Sequence, residues 1–434
     1  MSLDTLHPVV EIKVGGKTFA VPPQYLTEFE EKTIGDGFTR TVFKLTDPSY
    51  IDLEKAILDD SKTSGIVRYR WGYPGALYAD WKEFAPTFIL PEMTTSGYSL
   101  VLDGFASVVA SVTEVEALTF KGKVSEVVKD CVDKLNTIMK KRGSAGIVKA
   151  FIEETADDEN TGLASPYMNP EEGARVWTTG NQSLLRFIRQ ELQTIAVSKE
   201  SGKTGYCFYI DTKGYFHFHT REFEKGRVYD PSTESFTEGT VPGRKLRTFT
   251  YLWGMPSGVL AFRPVINSAI IGGHAKGWVV GTLDPKTKQY REKAVSRATV
   301  QADSTNPRSL SGPPDPTNPE STKIAEVFKH EPSSVERGPE VAINRTTNQW
   351  KYLASIAMMA TLELVGIPEY VRFGPEEQYC NIQAYLPNGG IHWTSGQYFI
   401  REVTHSINGG RYTIRAELFR GSALDGPVAS TKGK

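Results

Sequence analysis

SGQYFIREVTHSINGGRYTIRAELFR, residues 395–420, holds two runs rich in β-branched and aromatic side chains, and its reading sets the class of the whole chain. Tyr398 and Ile400 fall on one face of an extended segment, as the period of two in a strand requires. Strands are expected over Gln397–Ile407 and Arg411–Phe419, with another at Gln378–Leu386. Gly396 permits a tight turn ahead of them, and His405 is expected to hydrogen-bond within the turn that follows it.

The front of the chain reads the same way. VVEIKV (9–14), KTFAV (17–21), FTRTVFKL (38–45), GIVRYRWG (65–72), PTFILPEM (86–93) and GYSLVLDGFASVVASV (97–112) are short β runs between turns, and a barrel or sandwich is their natural closure. A short helix is expected at Asp52–Leu58, behind the turn residues Asp47, Pro48 and Ser49.

The period then changes. Val124, Val127, Val128, Cys131, Val132 and Leu135 share one side of a helix expected over Lys123–Asn136. A second amphipathic helix is expected at Ser183–Val197, through Leu184, Phe187, Ile188, Leu192 and Ile195, followed by two β runs around Asp211–Gly214.

Strand character returns over Leu246–Val280. Five prolines between Thr305 and Ser321 then exclude a helix or a central strand, so Leu283–Asn344 reads as a long excursion. A helix is expected at Asn348–Leu364, its apolar side Trp350, Leu353, Ala354, Ala357, Met358 and Leu364, with Gly366 and Pro368 as its stop. The chain thus divides into a β region at 1–115, an α+β module at 116–240, a second β region at 241–425 and a polar tail at 426–434, a mixed β and α+β multidomain fold.

At 434 residues the chain is too long for one ordinary core. With 39% hydrophobic residues, including 21 Phe, 19 Tyr and 7 Trp, it buries enough apolar surface to offset its ordering entropy, which excludes wholesale disorder. A formal charge of −1 gives no support to nucleic-acid wrapping. Residues 1–115 carry 16 acidic and 10 basic residues, an imbalance that suits a solvated surface or a conduit along which DNA slides without sticking. Cys131, Cys207 and Cys380 are odd in number and far apart, against a disulfide framework or zinc ribbon. No run of 18 uncharged apolar residues occurs and the N-terminus has no signal-peptide pattern, so a soluble product made in the cytosol, without membrane insertion, is expected.

Catalytic motifs are sparse. Gly202-Lys203-Thr204 and Gly16-Lys17-Thr18 resemble part of a phosphate loop, but the glycine needed five positions earlier is Val197 or Glu11. His217 and His219 share a strand face and could begin a metal site, yet nothing near in sequence completes one, and partly exposed strand residues are expected. Glu28, Glu30 and Glu31, and the acidic run from Glu153 to Asn160, could supply paired carboxylates for glycoside hydrolysis; solvated acidic loops are the expectation. Trp71, Tyr73, Trp81 and Trp253 could serve a carbohydrate site, although aromatics at such spacings usually belong to cores. No catalytic, metal or cofactor residue is assigned.

The C-terminal stretch resembles the end of the phage baseplate hub proteins, the family of the late-control D proteins of contractile tails and the VgrG spikes of type VI secretion. The residues that match are Gly396, Tyr398, Ile400, Val403, His405, Tyr412, Thr413, Leu418 and Arg420. The segment from Thr119 through Val128, the one from Ser183 to His219, and the runs at 38–47, 66–71 and 97–109 also resemble it.

The resemblance implies that the two β regions are tail-tube-like β-barrels flanking the α+β module. It further implies a non-enzymatic, homotrimeric hub in the virion's tail baseplate, assembled in the host cytoplasm. Such a hub adapts a sixfold tail tube to a threefold central spike and lines the channel for passing DNA, without reading its sequence. Its implied partners are the tail tube protein, a separate spike protein, the tape-measure protein and baseplate wedge or sheath-initiator proteins. The rival readings are a tail-associated cell-wall hydrolase and a carbohydrate-binding host-attachment protein.

Overall fold

The computed structural model describes residues 7–106, 117–156, 176–296 and 358–420, apart from short loops within those spans. The protein is β-rich. The first region supplies β1 (Val9–Val14), β2 (Lys17–Val21), β3 (Leu26–Ile34), β4 (Arg40–Leu45), β5 (Val67–Tyr73), β6 (Leu77–Tyr78), β7 (Lys82–Thr94) and β8 (Gly97–Ala106), with helix α1 (Ile51–Ser61) between β4 and β5.

The middle supplies β9 (Thr119–Lys121), α2 (Val124–Lys141), β10 (Ala150–Ile152), β11 (Val176–Thr178), a helical stretch over 184–195, β12 (Tyr206–Ile210), β13 (Phe216–Thr220), β14 (Arg227–Asp230) and β15 (Ser235–Glu238). The last region supplies β16 (Arg247–Leu252), β17 (Val259–Ile266), β18 (Gly277–Leu283), β19 (Tyr290–Ser296), β20 (Met358–Val365), β21 (Tyr379–Tyr385), β22 (Gly396–Asn408) and β23 (Arg411–Arg420).

Strands of the first and last regions join. Among the described residues a fourteen-stranded sheet follows the order β17-β20-β23-β22-β3-β4-β8-β7-β5-β1-β2, with β16, β21 and β6 attached off that path. The link is an antiparallel seam in which Glu28–Ile34 of β3 pairs with Glu402–Asn408 of β22. One hydrophobic core spans both regions, from Val10, Phe29, Phe43 and Trp71 to Phe249, Leu362, Ile407 and Leu418.

The middle module has a core of its own. Val127, Val128, Cys131 and Leu135 of α2 pack with Leu185, Ile188 and Leu192 of the second helical stretch and with Phe208, Phe216 and Phe218 of the β12–β13 hairpin. The two helices follow the apolar spacing read from the sequence, α2 running one turn further than expected. The second widens to a π turn at Ile188–Leu192 between Leu184–Phe187 and Gln193–Ile195. Ser183 caps its start, its hydroxyl accepting from the Arg186 N–H.

The helix expected at 348–364 is corrected over its second half, because Met358–Val365 is a strand. Met358, Ala360, Leu362 and Leu364 are buried, and the residues between them are half-buried, which is the period of a strand. Met, Ala and Leu favour helices in isolation, but β17 and β23 pair with this segment on either side, and that tertiary demand overrides propensity. The excursion expected from Leu283 also begins later, since Tyr290–Ser296 pairs with Gly277–Leu283 as a hairpin. The proline-rich segment at 305–321 lies outside the described residues.

Candidate assembly face and the seam behind it

Alternation gives the long sheet two faces. Along the seam, Phe29, Glu31, Val403, His405 and Ile407 point into the core, and Glu30, Lys32, Glu402, Thr404 and Ser406 occupy the other face. That second face continues across eight strands from β17 to β7. It carries ion pairs between neighbouring strands: Lys32 with Glu402 at 2.6 Å across the seam, Arg40 with Asp103 at 2.6 Å, and Arg263 with Glu363. The Arg263 guanidinium holds the Glu363 carboxyl below its usual range. Acid and base therefore neutralise each other locally, leaving a polar surface with little field of one sign.

Behind the seam lies a buried polar node. Glu31, 1% exposed, accepts from the Tyr69 hydroxyl at 2.5 Å and from the Lys82 ammonium at 2.6 Å, while Thr41 and Tyr69 share a hydrogen bond at 2.8 Å. Burial and the Glu31 charge push the Tyr69 phenol well above its ordinary pKa. His405 sits opposite, 3% exposed, its Nε2 donating to the Phe373 carbonyl at 2.7 Å. Since a carbonyl can only accept, Nδ1 is the acceptor for the Tyr412 hydroxyl. Burial lowers the His405 pKa to about 4, so the ring is neutral at pH 7. Trp71 packs on the His405 ring with centroids 5.1 Å apart, and the Tyr73 hydroxyl donates to the Gly366 carbonyl. Both contacts cross from the first region to the last.

The residues that matched by sequence sit as follows. Gly396 opens β22 at φ +143°, and a side chain there would meet the Arg420 guanidinium at about 3 Å. Arg420 is buried and donates to the Ser395 and Thr394 carbonyls, and Tyr398 donates to the Thr394 carbonyl at 2.6 Å. These contacts close the turn into β22. Ile400, Val403 and Leu418 are core residues, Tyr412 is buried against His405, and Thr413 belongs to the polar face.

His405 is therefore not bonded within a following turn; it lies inside β22 and reaches across the hairpin, because the hairpin turns four residues later, at Gly409 and Gly410. Nothing adjacent in sequence marks Tyr69, Lys82 or Phe373 as its neighbours. Only the tertiary fold gathers them.

Other readings shift as well. His217 and His219 are buried rather than partly exposed, because β10 and β12 flank β13. His217 stacks between Tyr209 and Phe151, and its Nδ1 lies 3.4 Å from Nε2 of His219. Among the described residues no group of three potential ligands could hold a metal ion.

Glu31 is a buried strand residue, not part of a solvated loop, and Glu153 is buried with its carboxylate accepting from the Thr220 N–H at 2.6 Å. Glu154 fits the solvated expectation, paired with Lys199 and Lys123. Residues 157–160 lie outside the described residues. Trp71 and Tyr73 are core, whereas Trp81 and Trp253 are exposed.

No family model matches the chain, and no curated protein does. Solved structures do. The tail protein from Neisseria meningitidis MC58 is 9% identical, with a TM-score of 0.56 over 95% of this chain and 97% of that one. The 43 kDa tail protein of prophage MuSo2 from Shewanella oneidensis is 10% identical, with a TM-score of 0.51 over 96% of this chain and 98% of that one. The chain shares the fold of these two tail proteins. A chain of the Francisella PdpA–VgrG complex shares it at 8% identity and a TM-score of 0.50, with 98% of this chain covering 54% of that one. At such identities the likeness is one of backbone, and the shared fold is carried here by an almost wholly different set of side chains.

Proposed function

We propose that the protein is the structural hub of a phage tail baseplate, a homotrimer that adapts a sixfold tail tube to a threefold spike and lines the channel for DNA. The observation that carries this reading is the seam. It joins the strands of the two β regions into one surface, which supports a reading of two tube-like barrels side by side in each chain and six in three chains. The locally neutralised ion pairs on that surface suit a wall past which a polyanion slides without being held. The tail tube protein and a separate spike are the axial partners, with the tape-measure protein and wedge or sheath-initiator proteins as further neighbours.

The role is structural rather than enzymatic. Light scattering on the purified chain should give a mass of three copies, and averaged electron micrographs should show a ring of six lobes around a bore. A monomer at micromolar concentration, or release of soluble fragments from peptidoglycan that depends on one carboxylate, would overturn it.

A further inference from the structure

The tripeptide Asn-Gly-Gly occurs twice in the chain, at 388–390 and at 408–410, and the fold sets the two copies in opposite surroundings. An asparagine followed by glycine is open to attack on its side-chain amide by the next backbone nitrogen, because glycine puts no Cβ in the path and lets the chain bend freely.

Asn408 ends β22. It is the last rung of two ladders, opposite Glu28 of β3 on one side and Arg411 of β23 on the other. Gly409 and Gly410 then close the hairpin at φ +56° and +77°. To bring its Cγ over the Gly409 nitrogen, Asn408 must rotate its own backbone and pull away from both neighbours at the seam.

Asn388 belongs to no ladder. β21 ends at Tyr385, and residues 386–390 form an exposed turn closed by local bonds: the Gly389 N–H donates to the Leu386 carbonyl at 2.9 Å, and the Leu386 N–H to the Gly390 carbonyl at 2.7 Å. Gly389 stands at φ +78° with open space where a Cβ would sit. The side chain already curls back on the backbone, since Oδ1 of Asn388 accepts from the Gly390 N–H at 3.0 Å. That donor meets the oxygen on which negative charge gathers when Cγ is attacked.

We propose that Asn388 is a site of spontaneous deamidation in the folded protein, whereas Asn408, followed by the same two glycines, is protected by the seam. Hydroxide takes the proton of the Gly389 nitrogen, which then bonds to Cγ of Asn388. The Cγ–Nδ2 bond breaks, and Nδ2 leaves as ammonia with a proton returned by water. A second water opens the cyclic imide at either of its two carbonyl carbons, giving aspartate or isoaspartate.

The product carries a charge that this end of the sheet otherwise lacks. Parallel pairing of Leu252 with Tyr385 sets residues 252–255 beside residues 386–395; neither stretch contains Asp, Glu, Lys or Arg, and together they expose Trp253, Met255, Leu386, Ile391 and Trp393. Deamidation therefore places a carboxylate in an uncharged apolar tip, and any surface packed on that tip must then desolvate it. The chemistry is independent of the hub reading.

The full chain is incubated in heavy-oxygen water at mildly alkaline pH, once folded and once in guanidinium, and the peptides holding the two sites are sequenced by tandem mass spectrometry. In guanidinium both asparagines should exchange NH for O at similar rates. In the folded chain Asn388 should convert about tenfold faster than Asn408 or more, since only Asn408 waits on the opening of a ladder. Its products should include isoaspartate and carry the heavy oxygen. Equal rates at the two sites in the folded chain, or conversion of Asn388 confined to the guanidinium sample, would overturn the assignment.

Discussion

Glu31 and His405 are direct cross-strand partners at the seam between β3 and β22, the only inward-pointing polar pair on an otherwise apolar stretch that includes Phe29, Val403 and Ile407. A slip of two residues would keep every side chain on its own face, yet it would set Glu31 against Val403 or Ile407 and part it from its place. The pair thus fixes the register in which the two β regions join.

Glu31→Gln leaves the Lys82 ammonium, 14% exposed at its side chain, without its counter-charge. The expected loss is about 3–5 kcal/mol, read from urea unfolding. Lys82→Met added to Glu31→Gln should recover most of it, because removing both partners abolishes the unpaired charge.

Acid should weaken the fold through His405. Its folded pKa of about 4 lies below the unfolded value of 6.5, so the unfolded chain binds the proton first. The contribution is complete above about pH 6.5, is lost as the pH falls towards 4, and amounts to about 3 kcal/mol. Urea midpoints measured from pH 7 to pH 4 should fall more steeply for the wild type than for His405→Gln, which has no group titrating there.

Gly366→Ala should be severely destabilising. A methyl at that position would lie within about 2 Å of the Tyr412 ring, which is itself pinned by His405. The expected cost exceeds about 3 kcal/mol, in the range of overpacked cores, seen as a drop in thermal midpoint.

Asp103→Asn should do little. The Arg40 side chain opposite is half exposed, so breaking this pair changes stability by no more than about 1 kcal/mol. The same substitution should leave the oligomeric mass unchanged.

The three native thiols should resist maleimide in the folded protein. Cys131, Cys207 and Cys380 are all buried, and burial pushes the Cys131 thiol up, away from the reactive thiolate. Mass spectrometry should find no adduct under native conditions and three after unfolding in guanidinium.

Much of the architecture was legible because its signals are local. The alternation in VRYRWGY and RYTIRAELFR, and the one-sided apolar spacing of Val124 to Leu135, each dictate an element without help from distant segments. The strand at Met358–Val365 was not legible, because its residues favour a helix and only pairing with β17 and β23 makes them extended. The polar node was half legible: His405 and Tyr412 stood out within one hairpin, but Glu31, Tyr69 and Lys82 come from three other strands that sequence distance hides. The exposure of Phe88 and Leu90 on β7 escaped notice because it depends on where β5 stops, which PTFILPEM alone does not say.

The parity of the shared sheet constrains how such a chain can change. Because the eight strands from β17 to β7 alternate in direction, gaining or losing a single strand there would turn the two end strands of that face like-directed. Whole hairpins preserve that order, so the face can widen or narrow without changing the relative direction of its ends only in steps of two strands.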